Sequence, residues 1–220
     1  MTEVTRLHIG IGTREGMIDD RCVLGLLDAW HAFPCSLTLA RGAYIARNRD
    51  MITADALERE DVSHVLFLDS DIVFRAADVT ALLELGVDFA FGRYAFKSHE
   101  RDGPVARACI GRGEANGVQL LEYDRVGGGF VLVTRAALER MVEAYGADLG
   151  YTAPGGRRLH GLWWQAGYTT GSNGERIVEG EDYAFCRRWR ELGGRIFTRT
   201  DVRLGHVGPH VYELGDELPS

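Results

Sequence analysis

A short, uninterrupted apolar run constrains the fold of this chain more than any other feature. Residues His64–Leu68 read His-Val-Leu-Phe-Leu, and the run ends directly before Asp69-Ser70-Asp71. Side chains alternate between the two faces of a strand, so a strand that is apolar throughout has both of its faces covered. Such strands are typical of parallel sheets with helices packed on both sides. The run therefore predicts an α/β fold.

Helix and strand signals alternate along the first half of the chain. A first strand is predicted from about Arg6 to Ile11 and closes near Gly12. The helix after it is predicted to bury Val23, Leu27 and Trp30, which recur at helical spacing. Further strands are predicted at 35–40, 89–91, 105–110, 118–122 and 130–133, and further helices at 46–59 and 181–192.

The second half of the chain reads differently from the first. It is rich in predicted strands, and its residues 150–174 are glycine-rich and typical of a loop. The helix predicted at 181–192 precedes Gly193, where a left-handed residue would end it. The overall expectation is an α/β fold with a mixed sheet. Since no repeat, low-complexity tract or linker is visible, residues 1–220 are predicted to form one domain.

Composition excludes several classes of protein. The formal net charge of −7 argues against a broad basic surface for nucleic acid, and 45% hydrophobic residues argue against disorder. No apolar run approaches the roughly 20 residues that span a bilayer, and the first residues do not resemble a signal segment. The four cysteines form no Cys-x-x-Cys pair. These observations predict a cytoplasmic protein with reduced thiols and no membrane segment.

The sequence Asp69-Ser70-Asp71 is informative because of its position. With 16 aspartates in 220 residues, an Asp-x-Asp pattern arises by chance about once. Here, however, it follows a buried strand, at the sheet edge where α/β proteins bind ligands. Residues two apart on an extended chain point to the same side, so the carboxylates of Asp69 and Asp71 converge. Paired carboxylates favour a divalent cation such as Mn²⁺ or Mg²⁺.

Two later segments carry further candidate groups. Glu181 and Asp182 begin the predicted helix after Gly180, where the helix dipole is expected to lower carboxyl pKa values and keep the side chains ionised. An ionised carboxylate there suits a general base. His206, flanked by glycines, is a candidate third metal ligand, and whether His210 joins it is left open.

These motifs in series resemble the GT-A-fold glycosyltransferases. The resemblance rests on the strand ending Leu68-Asp69-Ser70-Asp71, Gly127-Gly128-Gly129-Phe130, Glu179-Gly180-Glu181-Asp182 and Arg203-Leu204-Gly205-His206. It implies a Rossmann-related mixed sheet with helices on both faces. It also implies a metal-dependent transfer of sugar from a nucleoside-diphosphate sugar to a hydroxyl acceptor, with Mn²⁺ or Mg²⁺ on the diphosphate. UDP-sugar is the first choice of donor and GDP-sugar the second.

The resemblance also implies roles for individual residues. Asp69, Asp71 and His206 correspond to metal ligands, and Asp182, with Glu181 beside it, corresponds to the base of inverting members. Because a late metal-binding histidine also occurs in retaining members, the stereochemistry stays open. The residues implied for donor binding are Gly12, Thr13, Arg14, Arg47, Asn48 and Ser70.

The acceptor side is less defined. Gly128 and Gly129 would let the backbone lie close to an acceptor, and the indole rings of Trp163 and Trp164 could stack on a sugar or a base. The glycines could equally mark a bulge at a strand entry, and the tryptophans could equally fill the edge of the core. A glycan, a protein or a modified nucleobase remains open as acceptor. Because the chain is short for the family, dimerisation could supply missing acceptor surface.

Two other functions remain open at this point. The sequence Phe67-Leu68-Asp69-Ser70-Asp71 also resembles the nucleophile strand of haloacid-dehalogenase-like phosphatases, with Asp69 as nucleophile, Asp71 as acid and Lys97 as the required lysine. That strand usually opens its fold, whereas two strands precede it here. A non-catalytic nucleotide- or sugar-binding module would keep the aspartate pair but would not need Asp182.

Overall fold

A computed structural model describes residues 5–98, 103–115, 117–164, 168–171 and 173–214. The five helices in these residues are α1 (Asp20–Ala32), α2 (Ile45–Leu57), α3 (Ala76–Leu83), α4 (Arg135–Leu149) and α5 (Glu181–Glu191). The strands are β1 (Leu7–Thr13), β2 (Cys35–Arg41), β3 (His64–Asp69), β4 (Ile72–Val73), β5 (Phe89–Phe91), β6 (Arg93–Tyr94), β7 (Ala106–Ala115), β8 (Val118–Val126), β9 (Phe130–Thr134), β10 (Tyr151–Thr152), β11 (Arg158–Leu159), β12 (Tyr168–Thr170), β13 (Arg176–Val178), β14 (Phe197–Arg199), β15 (Arg203–Val207) and β16 (Val211–Tyr212).

An eight-stranded mixed sheet forms the centre of the fold. Its strand order is β2-β1-β3-β9-β5-β14-β8-β7. Strands β2, β1 and β3 are parallel, and β9 runs antiparallel to both of its neighbours β3 and β5. Away from the main sheet, β15 pairs with β4, β6 and β16. The prediction of an α/β fold with a mixed sheet is confirmed.

Helices cover both faces of this sheet. Val65 and Phe67 of β3 point into a core shared with α2, α4 and α5, whereas Leu66 and Leu68 point into a second core beneath α1 and α3. All four side chains are at most 2% exposed. The apolar run thus behaves as the sequence predicts, because each face of β3 has its own layer of helices.

The first strand is longer than predicted, because it continues through Gly12 to Thr13. Glycine is required inside it for a packing reason. A Cβ at Gly10 would lie 2.0 Å from Cγ2 of Ile52 on α2. The missing side chain therefore lets α2 lie directly on β1. The glycines that suggest a strand end in the sequence instead allow the helix to pack closely on the strand.

The buried face predicted for α1 is wrong. Leu27 and Trp30 are 49% and 47% exposed, and the buried residues are Cys22, Gly25 and Ala29. A Cβ at Gly25 would lie 2.6 Å from the carbonyl oxygen of Phe74, so this helix approaches the neighbouring loop through its small residues. Helical spacing located the helix correctly, but the larger apolar side chains were assigned to the wrong side.

Other elements complete the comparison with the sequence. Helix α4 was not predicted, and residues 150–171 hold short paired strands within the predicted loop. Helix α5 is confirmed, with Gly193 left-handed after it at φ 80°. Each of the four cysteines is free. None of the helices in the described residues is both long and apolar enough to cross a lipid bilayer.

Candidate active site

The two aspartates of the Asp-x-Asp motif lie where β3 leaves the sheet. Asp69 is the last residue of β3 and pairs in parallel register with Gly12 of β1. Its backbone N–H donates to the carbonyl of Gly129 (2.8 Å). Asp71 lies in the turn between β3 and β4, half-buried. The motif therefore stands at the carboxyl edge of the parallel strands, as predicted.

His206 reaches Asp71 through strand pairing. Strand β15 runs antiparallel to β4, with His206 opposite Ile72, and the N–H of Val207 donates to the carbonyl of Asp71 (2.8 Å). This places Nε2 of His206 3.6 Å from Oδ1 of Asp71. Nδ1 of His206 lies 2.8 Å from the carbonyl oxygen of Ala95. A carbonyl only accepts, so Nδ1 carries a hydrogen, and Nε2 is the ring nitrogen that faces Asp71.

Lys97 contacts the other oxygen of the same carboxylate. Its Nζ forms an ion pair with Oδ2 of Asp71. Burial on its own would raise the pKa of Asp71, but the hydrogen bonds from His206 and Lys97 outweigh burial and lower the pKa. Asp71 is therefore held as a carboxylate with a neighbour on each oxygen.

Arg49 of α2 joins Asp69 to the start of α5. Its Nη2 donates to Oδ1 of Asp69 and its Nη1 to Oε1 of Glu181, both at 2.9 Å. The Arg49 side chain is only 5% exposed, and its guanidinium lies 4.9 Å from the centre of the Trp163 ring. A buried guanidinium with two carboxylate partners and an aromatic face is fixed in place. Arg49 therefore sets the relative positions of Asp69 and Glu181.

Asp182 has an environment unlike the one the sequence predicts. Burial raises its pKa to about 6, with the neighbouring charge of Glu181 adding to the rise and Arg49 opposing it. The helix N-terminus was expected to lower this pKa, and that expectation is wrong because removal of water outweighs the helix dipole. A carboxylate with a pKa near 6 remains mostly ionised at neutral pH and is a stronger base than an ordinary aspartate.

The glycines before β9 make room for these groups. A Cβ at Gly128 would lie 2.5 Å from the guanidinium of Arg49. A Cβ at Gly129 would lie 2.7 Å from the hydroxyl of Tyr94 and 2.9 Å from Oδ2 of Asp69. Both glycines are buried, and the N–H of Gly129 donates to that hydroxyl (2.9 Å). Their side-chain-free backbone thus serves the charged cluster, and their contact with an acceptor stays a prediction.

Several predicted donor residues meet beside Asp69. Asn48 is fully buried, and its Nδ2 donates to the carbonyls of Thr13 and Gly42, both at 3.1 Å. Its Oδ1 is buried without a hydrogen-bond partner. Gly12 lies against α2, because a Cβ there would be 3.3 Å from Cβ of Asn48. The ends of β1 and β2 and the first turn of α2 therefore form one corner of the site.

The other residues predicted to bind the donor, Arg14, Arg47 and Ser70, lie beside this corner and are exposed or half-buried. Arg14 is exposed, and Arg47 is half-buried, with its Nη2 3.5 Å from where a Cβ of Gly42 would lie. Ser70 is half-buried between the two aspartates, and its carbonyl accepts the N–H of Asp19 (2.9 Å). Their contacts with a donor stay predictions.

The two neighbouring tryptophans have opposite positions. Trp163 is 1% exposed and stacks on Phe185 with ring centres 3.9 Å apart, so it belongs to the core beneath Arg49. Its predicted stacking on an acceptor is wrong for this structure, because neither ring face is open. Trp164 is 45% exposed and lies 6.5 Å from the Tyr44 ring and 5.6 Å from the Tyr151 ring. Trp164 therefore lies in an exposed aromatic cluster, and its stacking on an acceptor stays a prediction.

The donor atoms at Asp71 and His206 fit a divalent cation in part. Carboxylate oxygen and imidazole nitrogen are suitable ligands for Mn²⁺, and the two side chains already face each other. Across the described ranges, no three His, Cys, Asp or Glu side chains are arranged to hold a metal ion. Mg²⁺-type sites often use one or two carboxylates plus substrate phosphates, so a bound diphosphate would complete the ligand set that this pair begins. His210 is exposed and packs on Tyr212, with ring centres 4.1 Å apart.

A second buried carboxylate anchors the segment that carries the tryptophans. Asp50 of α2 is fully buried and accepts the N–H of Trp163 (3.0 Å) and the hydroxyl of Tyr151 (3.1 Å). Buried Arg188 of α5 donates to the carbonyls of Leu162 and Trp164, both at 2.8 Å. Burial raises the pKa of Asp50 to about 7. The segment over Arg49 is thus tied to both α2 and α5.

We expect the unfolding free energy of Asp50→Asn, relative to that of the wild type, to be higher at pH 8 than at pH 5. A carboxyl whose pKa is raised by folding loses its stabilising effect as pH rises towards that pKa, here between about 4 and 7. Asparagine does not ionise; its Oδ1 can accept the N–H of Trp163, and its Nδ2 can donate to the hydroxyl oxygen of Tyr151. The stability difference between variant and wild type should grow by roughly 2–3 kcal/mol between pH 5 and pH 8. Urea unfolding at both pH values measures it, and an equal difference at both would contradict the assignment.

Three residues that organise the site were not predicted to belong to it. Arg49 and Tyr94 have no role in the sequence analysis, and Lys97 has one only for the phosphatase. A signal for Arg49 was present, because Arg49, Ile52 and Ala56 share one helical face by spacing. No comparable signal exists for Tyr94 and Lys97, which reach the site only through long-range strand pairing.

The fold is a GT-A-like α/β fold. Solved structures with a similar fold include A197 from STIV, at a TM-score of 0.57 and 18% identity, with 99% of this chain and 97% of that chain covered. They also include GalNAc-T7 with UDP, GalNAc and Mn²⁺, at a TM-score of 0.53 and 11% identity, with 98% of this chain and 45% of that chain covered. This chain therefore spans less than half of the GalNAc-T7 chain. No family model and no curated protein matches it.

The phosphatase alternative gains no support from the site. Its nucleophile would be Asp69, but that carboxylate is held by buried Arg49. Its required lysine would be Lys97, which pairs with Asp71 instead. The chain also forms β1 and β2 before β3, whereas the phosphatase strand usually opens its fold.

Proposed function

We propose that this chain is a metal-dependent glycosyltransferase that moves a sugar from a nucleoside-diphosphate sugar to a hydroxyl acceptor. UDP-sugar is the favoured donor and GDP-sugar the next. The observation that carries the proposal is the convergence, at the carboxyl edge of β3, of Asp71 with His206 and of Asp69 with Arg49 and Glu181. GalNAc-T7, which has a similar fold, was solved with a nucleotide, a sugar and Mn²⁺.

The chain's own residues divide the work of transfer between two groups. Asp71 and His206 would hold the divalent ion, which when bound neutralises negative charge on the leaving diphosphate. The corner formed by Thr13, Gly42 and Asn48, which hydrogen bonds from the Asn48 amide hold together, would border the nucleoside.

Asp182 is the proposed general base. It accepts the proton of the acceptor hydroxyl as the new glycosidic bond forms at the anomeric carbon, and the nucleoside diphosphate leaves with the electron pair of its bond to the sugar. Glu181 acts differently, because its ion pair with Arg49 makes it a positioning residue. Arg49 in turn keeps Asp69 and Asp182 on the same rigid support and moderates the pKa of Asp182.

We expect UDP with Mn²⁺ to raise the melting temperature of the purified protein and Asp71→Ala to abolish that rise. A ligand at 100 times its Kd adds about 2.7 kcal/mol of stability. For a domain of this size that corresponds to a rise of roughly 5–10 °C. GDP is the parallel probe, and Mn²⁺ is omitted from a second series to test the metal dependence.

A matched control separates loss of the site from loss of the fold. Asp148 is exposed on α4, so Asp148→Ala should keep the full rise. No rise with UDP or GDP, with or without Mn²⁺, in a folded protein would contradict the proposed donor class. A rise that persists in Asp71→Ala would contradict the role of Asp71 alone.

A further inference from the structure

Each aspartate of the Asp69-Ser70-Asp71 motif is neutralised by its own protein cation. Arg49 pairs with Asp69, and Lys97 pairs with Asp71. The two cations differ in how firmly they are held. The Arg49 side chain is 5% exposed and has a second carboxylate partner in Glu181, whereas the Lys97 side chain is 35% exposed. Lys97 is therefore the partner that can leave its carboxylate.

The segment that carries Lys97 also fixes the orientation of His206. The carbonyl of Ala95, two residues before Lys97, accepts from Nδ1 of His206. Residues 95–97 thus contact both side chains proposed to hold the metal. A cation that bound Oδ2 of Asp71 would have to displace the ammonium group, because two positive charges at one carboxylate oxygen repel each other.

The residue type is informative as well. Lys97 is the only lysine among the 25 basic residues of the chain, the others all being arginine. A lysine ammonium is a compact charge on a flexible four-carbon stem, whereas a guanidinium is a rigid planar fork. The single position at which the chain departs from arginine is thus a position where a mobile cation faces a metal-binding carboxylate.

We propose that Lys97 is a resident counter-ion that occupies Asp71 until a nucleoside diphosphate arrives and then moves to the diphosphate, so that metal and nucleotide bind cooperatively. This inference rests on the proposed function and adds an order of events to it. In the free protein Lys97 weakens binding of a divalent ion by holding Asp71. With diphosphate present, the ammonium has a new anionic partner, and Asp71 becomes available. No bond is made or broken in this exchange of ion pairs.

The test is the binding of Mn²⁺ alone, measured by the loss of its free EPR signal, for wild type, Lys97→Met, Lys97→Arg and Asp71→Asn. We expect Lys97→Met to bind Mn²⁺ about fivefold to tenfold more tightly than wild type, since an ion pair of this exposure is worth about 1 kcal/mol. Lys97→Arg keeps the charge and should bind Mn²⁺ alone as weakly as wild type, but its rigid fork should make Mn²⁺ binding respond less to UDP. Asp71→Asn should bind least. Addition of UDP should tighten Mn²⁺ binding in wild type and do so less in Lys97→Met.

The ion pair is also tested without metal. Reductive ¹³C-methylation labels Lys97 as the only lysine, beside the α-amino group, and its NMR signal should shift in Asp71→Asn and on addition of Mg²⁺ with UDP. A signal unchanged in Asp71→Asn would overturn the proposal. Mn²⁺ binding that needs Asp71 but is no tighter in Lys97→Met would overturn the role of Lys97 and leave the proposed function intact. Failure of wild type and Lys97→Met to bind Mn²⁺, UDP or GDP would overturn both.

Discussion

The variant Asp182→Asn is expected to release nucleoside diphosphate from the donor about 10²–10⁴-fold more slowly than wild type, the usual contribution of a general base. Donor binding should be unchanged, because Asp182 faces the acceptor hydroxyl in the proposed mechanism. The wild-type rate should rise with pH through about 6, where the carboxyl loses its proton, and then level off. Steady-state release of UDP between pH 5 and pH 8 measures both effects.

The control for this prediction is a carboxylate of the same type outside the site. Asp148→Asn, exposed on α4, should retain both the rate and the pH profile. Thermal shift with UDP and Mn²⁺ confirms that Asp182→Asn still binds the nucleotide. If the asparagine variant keeps the wild-type rate at saturating donor, Asp182 is not the base.

Arg49→Met is expected to cost about 3–5 kcal/mol of unfolding free energy, the usual effect of removing one partner from a buried ion pair. The substitution leaves Asp69 and Glu181 without their shared cation and removes the guanidinium from the face of Trp163. At this chain length the melting temperature should fall by roughly 10 °C. Thermal and urea unfolding measure the loss.

Two variants sharpen the interpretation of Arg49. Arg59→Met removes an exposed arginine just beyond the same helix and should change stability by less than about 0.5 kcal/mol. Arg49→Lys keeps the charge but not the planar fork, so it should recover only part of the loss. An Arg49→Met protein as stable as wild type would show that the two carboxylates do not depend on this guanidinium.

Sequence patterns predicted the elements whose signals are local. The apolar run predicted β3, and the spacing of Phe185 and Trp189 predicted α5. Both predictions are correct, because these apolar side chains are buried as their periodicity requires. Helix α4 also carries a local signal, in Leu138, Met141 and Tyr145, which was overlooked. On α1 the same logic failed, because close packing of Gly25 and Ala29 turned the larger side chains outward.

The site was predictable only where its residues follow directly from a strand or a helix end. Asp69, Asp71 and Asp182 stand at such ends, and their positions follow from the order of elements. The partners of these residues could not be derived, because ion pairs such as Arg49 with Glu181 join segments 132 residues apart. The pKa of Asp182 depends on that packing too, since burial sets its direction.

The pairing of β15 with β4 has a consequence for how this protein acquires its ligands. His206 meets Asp71 only when a strand near residue 205 has returned to one near residue 72, a contact of long sequence separation. Closing a loop of that length costs conformational entropy. Ligand affinity and the stability of this strand pairing are therefore linked, because whatever binds Asp71 and His206 together also holds the returning strand in place.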